Sequence, residues 1–239
     1  MARFGMTPAG FAAALVTGAL LMAGPTPAAR AAEPSLASPW TASLGTRLEA
    51  LALLETLNAE LLSHDSATLT LERWCGEHRL ADPAVIVAQR TSAEQSATGE
   101  QRAELGISAT EPVRHRHVRL VCDTKILSEA DNWYVPARLT PDMNTRLDAT
   151  DAPFGKVVQP LHFTRHTLSA SLLWHPLPDD WAATLCRVGS PLEPMRRELL
   201  QHHAILLLPD GTPFSEVIET YTDAVLDFPV PAQTAPLCP

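Results

Sequence analysis

One stretch of this 239-residue chain limits its fold more than any other: Leu199–Thr222, LLQHHAILLLPDGTPFSEVIETYT. Two apolar runs flank Pro209-Asp210-Gly211-Thr212, where Pro and Asp favour a turn and Gly supplies a left-handed residue. That pattern predicts an antiparallel hairpin. In its second strand Val217, Glu219 and Tyr221 point one way, and Glu216, Ile218 and Thr220 the other. The Glu219 carboxylate therefore shares a face with Val and Tyr. Burying it alone would be costly, so water, a cation or a hydrogen-bond donor must meet it. The expected partners are Arg119 and a ligand.

Residues 1–31 read as a secretory signal peptide rather than as fold. Arg3 gives a short basic start and Phe11–Ala23 an apolar core too short to span a bilayer comfortably; Pro25, Pro27 and an A-x-A site at Ala29-Arg30-Ala31 follow. An uncleaved N-terminal anchor is the alternative. Residues 32–239 are then expected to form a single domain, periplasmic or secreted and free of the membrane once the signal is removed. Without Arg3 and Arg30 the basic count drops from 18 to 16 against 27 acidic residues, and the net charge goes from −9 to −11. Such a balance argues against nucleic acid or an anionic membrane surface as partner. Cys75, Cys122, Cys186 and Cys238 make an even count that suits two disulfides in an exported chain. Three pairings are possible, and Cys186–Cys238, pinning the tail, is the preferred one.

Leucines at three- and four-residue steps predict an amphipathic helix over Ser43–Leu62. Ser66 offers a cap for a second helix, about Thr68–His78. Val85–Gln89 reads as a short strand, Thr91–Gly99 as a loop, and Glu100–Leu105 as a helical turn closed by Gly106. Pro112–Cys122 alternates strictly: His115, His117, Arg119 and Val121 share one face, Arg114, Arg116, Val118, Leu120 and Cys122 the other. Ile126–Ala130 is its return strand. Pro141–Leu147 is a short helix capped by Thr140, another begins near Pro153-Phe154, and His162–Leu173 is a long strand. Trp174–Met195 has no periodicity and reads as a loop; Pro229–Pro239 is a tail. Helix and strand do not alternate regularly, so the class is α+β: an antiparallel sheet of about six strands with helices packed on it.

Several chemistries are absent. There is no G-x-S-x-G, S-x-x-K, G-x-x-x-x-G-K-[ST] or G-x-G-x-x-G motif. His162-Phe-Thr-Arg-His166 has zincin spacing but lacks the Glu. His115 and His117 share a strand face and His202-His203 lie on another strand, but exposed sheet histidines account for them, and no metal site is expected.

Four segments, in order, resemble the chorismate lyase family: His64-Asp65-Ser66-Ala67-Thr68 before a helix, the strand HVRLVC, the helix start APFGKVV and the hairpin DGTPFSEVIETY. The resemblance covers about Leu61 to Tyr221. It implies the chorismate lyase-like fold with helical flaps over the ligand. It also implies a carbon–oxygen lyase converting chorismate to 4-hydroxybenzoate and pyruvate without metal or organic cofactor, acting as a monomer. Carried onto this sequence, Arg119 and Glu219 would be the catalytic pair, and Ala67, Thr68, Phe154 and Gly155 would bind the substrate dianion. An Arg fork suits one carboxylate and Glu219 the ring hydroxyl. Glu129 stands where some members carry a second Arg. The alternative expectation is a non-catalytic periplasmic protein that binds a small aromatic or dicarboxylate anion on the same fold.

Overall fold

A computed structural model describes residues 38–91, 94–178, 180–181 and 192–230, together with Met1. Helix α1, Leu44–Ser63, starts at a capping box in which Ser43 and Thr46 each accept the other's backbone N–H at 3.1 Å. Ser66 caps α2, Ala67–Glu77, and Thr98 caps α3, Gly99–Glu104. The Thr140 hydroxyl takes the Met143 amide to open α4, Pro141–Ala149, and Pro153 precedes α5, Phe154–Val158. The strands are β1 Ile86–Thr91, β2 Arg114–Cys122, β3 Lys125–Tyr134, β4 Thr164–Leu172, β5 Glu198–Leu207 and β6 Pro213–Thr222.

They form one six-stranded antiparallel sheet in the order β1-β2-β3-β6-β5-β4, the α+β arrangement expected from the sequence. The β5–β6 turn closes as its residues predict. Gly211 adopts φ 84°, its amide donates to Leu208 O at 2.8 Å, and the Asp210 carboxylate accepts from the Thr212 amide at 2.9 Å. The return strand β3 runs four residues beyond the expected Ala130, because β6 pairs with it as far as Tyr134.

Four helices lie on one face of the sheet and build two apolar clusters there. One gathers α1, α2, Trp40, Trp74 and Trp174 over Val118, Leu120, Ala130 and Tyr221. The other gathers α4 and α5 over Tyr134, Leu206, Phe214 and Val217. Two of the three buried indoles of the first cluster donate to the turn after β6, Trp40 to Leu226 O at 2.7 Å and Trp74 to Val225 O at 2.9 Å. A Cys75–Cys122 disulfide fastens α2 to the end of β2. That bond is the other half of the preferred pairing; Cys186 and Cys238 lie outside the described residues. So do the signal-peptide reading of 1–31, most of the tail and part of the 174–195 loop. The chain divides at Ala32, and all elements above belong to the unit Glu33–Pro239. Among the described residues no helix is long and apolar enough to cross a membrane.

Candidate functional site

At the seam between the two clusters the sheet is not fully covered, and a cavity of about 40 Å³ remains. Its walls are apolar: Val118, Leu120, Ala130, Phe154, Phe163, Leu206 and Val217. Against them stand a few polar groups: Arg116, Asn132, Arg165, Glu219 and the start of α2 at Ser66–Thr68. Convergent polar groups in an apolar hollow are the usual make-up of a small-molecule site.

Glu219 projects from β6 as its parity requires, and its partner is Arg165 of β4 at 2.6 Å. Both side chains are below 10 % exposed, at 9 % and 4 %. Tyr221 donates its hydroxyl to the same carboxylate oxygen at 3.1 Å. Burial, then the adjacent Glu219 charge, holds the Tyr221 pKa well above its ordinary value, so the phenol remains a donor. Burial opposes the Arg165 charge, but Glu219 and Tyr221 outweigh it and raise its pKa above the ordinary guanidinium value. Glu219 is thus already neutralised in the cavity floor.

Arg116 is not. It is 7 % exposed, and its Nε and Nη1 have no hydrogen-bond partner. Among the described residues its hydrogen bond is from Nη2 to Ala152 O at 3.4 Å. Burial pulls its pKa below the ordinary value. An uncompensated buried guanidinium is expensive and is found where something else supplies the counter-charge. The first turn of α2 adds free backbone N–H groups and the positive end of an eleven-residue helix to the same wall. Asn132, whose amide oxygen accepts from the Ser215 hydroxyl at 2.8 Å, completes the polar set.

The structure brings Glu219, Ala67, Thr68, Phe154 and Gly155 together around this cavity, as the sequence suggested. It does not bring Arg119. That residue lies on the opposite face, where its Nε is 3.4 Å from Glu129 and its side chain is 41 % exposed. The reason is parity. Val118 and Leu120 mark the covered face of β2, and Arg116 shares it. Val121, which argued for Arg119, follows a bulge between residues 120 and 121 that breaks the simple alternation. Arg165 was missed because β4 is an edge strand whose mostly exposed residues give no apolar stripe.

The two flaps over the cavity touch. A Cβ on Gly155 would stand 2.7 Å from Ser66 Oγ and 3.2 Å from Thr68 Oγ1, and Lys156 of α5 pairs with Glu72 of α2. Gly155→Ala should therefore displace the Ser66 cap. Crowding of this kind costs about 1–3 kcal/mol, against at most about 1 kcal/mol returned by helix propensity. A lower urea midpoint is the expected result.

Beneath Glu219 sits its register partner His202, fully buried, with Nε2 2.9 Å from Asn58 Oδ1. Burial first, and Arg165 second, lower its pKa from the ordinary 6.5 to about 4. The unfolded chain therefore takes up this proton before the folded one does. Stability from this group is complete above pH 6.5 and declines as pH falls toward 4. Between pH 7 and pH 5 the loss is about 2 kcal/mol. Urea titrations at the two pH values, in wild type and His202→Phe, check it: the variant should lose less.

No protein-family profile matches the chain. Among solved structures it is similar to PhnF of Mycobacterium smegmatis, with TM-score 0.44, 13 % identity, 73 % of this chain and 71 % of that one. It is also similar to the ligand-binding domain of a GntR-family regulator from Bordetella bronchiseptica, with TM-score 0.38, 18 % identity, 62 % of this chain and 87 % of that one. These scores decide nothing about what the chain binds. The chorismate lyase resemblance is not upheld. The sequence relative is named uncharacterized, and the arginine on which the resemblance turned is outside the cavity. That relative, protein y4mC of Sinorhizobium fredii, is 53 % identical over 197 residues, spanning 80 % of this chain and 83 % of its own length. An identity this high over this span means that the chain belongs to the family of the y4mC protein.

Proposed function

We propose that the chain is a small-molecule-binding protein whose ligand is an organic anion, an aromatic carboxylate or dicarboxylate, held in the seam cavity. The observation that carries this reading is Arg116, a buried guanidinium in the wall of an apolar hollow, two of whose nitrogens have no hydrogen-bond partner among the described residues. A carboxylate placed there would accept from the Arg116 fork and from the first turn of α2. Phe154 and Phe163 would flank the ligand's ring. Glu219, held by Arg165 and Tyr221, would take a ligand hydroxyl.

A cavity of about 40 Å³ receives a carboxylate but not a ring, so α2 and α5 must part to admit the rest. The Lys156–Glu72 pair and the Gly155–Ser66 approach are the contacts that would open. We place the protein in the periplasm or outside the cell, on the apolar segment Phe11–Ala23 with its A-x-A site and on the disulfide.

The test is a thermal-shift and calorimetry series on the full chain with 4-hydroxybenzoate, chorismate and aliphatic dicarboxylates. A true ligand at about a hundred times its Kd should add about 2.7 kcal/mol of stability. An absence of any shift, or unchanged binding in an Arg116 variant, overturns the reading. Release of 4-hydroxybenzoate and pyruvate from chorismate would overturn binding without turnover.

A further inference from the structure

The far face of the sheet carries a second polar cluster that the anion cavity does not use. Glu104 at the end of α3, His203 of β5 and Glu216 of β6 bring one donor atom each within 4.8 Å of one another. His203 Nε2 is 2.8 Å from Glu216 Oε1 and 3.8 Å from Glu104 Oε2. Glu216 is 1 % exposed. Among the described residues neither its second oxygen, Oε2, nor the buried Oε2 of Glu104 meets a hydrogen-bond donor. Gln101 donates to Glu216 Oε1 at 3.3 Å, which orients that carboxylate. Among the described residues no lysine or arginine pairs with either acid.

Two carboxylates this close repel each other, and Glu216 is almost wholly withdrawn from water. The cluster offers two oxygens and one imidazole nitrogen from three separate elements. A donor set of this kind suits a divalent cation that accepts nitrogen and oxygen together, at about 2.0–2.2 Å from each. To take up a cation, the 2.8 Å His203–Glu216 hydrogen bond would open and the 3.8 Å gap between His203 and Glu104 would close. We propose that Glu104, His203 and Glu216 form a binding site for a divalent transition-metal cation, Zn²⁺ first and Mn²⁺ second. The ion would neutralise both acids, occupy the orphaned oxygens and clamp α3 to the β5–β6 pair. Water would fill its remaining positions on the half-exposed side of Glu104 and His203.

The test is titration of the full chain with Zn²⁺ and with Mn²⁺, followed by calorimetry and melting temperature. The expected result is one saturable site per chain and a melting temperature that rises with metal. Glu104→Gln and His203→Gln lie at partly exposed positions and leave the fold intact, and each should weaken binding by roughly a hundredfold or more. A far-ultraviolet spectrum and a cooperative metal-free melting transition verify that both variants are folded. No saturable binding at millimolar metal, or wild-type affinity in both variants, overturns the proposal. The second outcome would assign the ion to other groups, such as the His115–Asp131–His117 cluster.

Discussion

Arg116→Met is expected to abolish anion binding and, at the same time, to raise the melting temperature of the unliganded protein. The two effects have one cause. In the free protein Arg116 is buried, its Nε and Nη1 have no hydrogen-bond partner among the described residues, and burial outweighs the nearby Tyr134, Asp148 and Asp151 charges. Methionine fills similar volume among Val118, Leu120 and Phe154 without that cost. Replacing poorly compensated buried charge by apolar groups stabilises by about 1–3 kcal/mol. For a chain of this size that is a rise on the order of 5 °C. With the guanidinium gone, a ligand carboxylate would be buried unpaired, and affinity should fall by on the order of 100-fold or more. A residue kept for packing gives the opposite signature: its loss lowers the melting temperature. Lower stability with intact binding in Arg116→Met would remove the site.

Glu219→Ala should be the most destabilising single change in the cavity. It leaves Arg165 with its pair broken, its Nε already without a partner, and the Tyr221 hydroxyl without its acceptor. Removing one member of a buried pair costs about 3–5 kcal/mol. Here both side chains are below 10 % exposed, so solvent screening does little to reduce it. The double replacement Arg165→Met with Glu219→Leu removes the orphaned charge as well and should recover most of the loss. Urea denaturation of Arg165→Met, Glu219→Leu and the double variant measures the coupling directly. A cost below about 1 kcal/mol for Glu219→Ala would mean the pair is wet and weak.

Much of the frame was readable from the chain because local chemistry determines it. Pro209-Asp210-Gly211 can make few things other than the turn it makes, and the period-two pattern of β6 assigned Glu219 to the covered face. Ser43, Ser66, Thr98 and Thr140 opened their helices for the reason capping residues do. The cation was misassigned where local pattern stops being sufficient. Choosing between Arg116 and Arg119 means knowing which face of β2 the helices cover, and α1, α2, α4 and α5 come from distant parts of the chain. Arg165 reaches Glu219 across β5, a contact that no sequence interval announces. The Glu104–His203–Glu216 cluster depends on α3 folding back onto the far face, and His203 looked like one half of a surface His-His pair.

Strand β6 sends Glu216 to one side of the sheet and Glu219 to the other, each to a dedicated partner. Sliding β6 by a single position against β3 or β5 would take Glu219 from its arginine and Glu216 from its histidine in the same move. Apolar strands tolerate such slips because one aliphatic group substitutes for the next; two acids with unlike counterparts do not. The middle of this sheet is therefore aligned by charge, and the folding chain has a built-in check on mispairing at its centre.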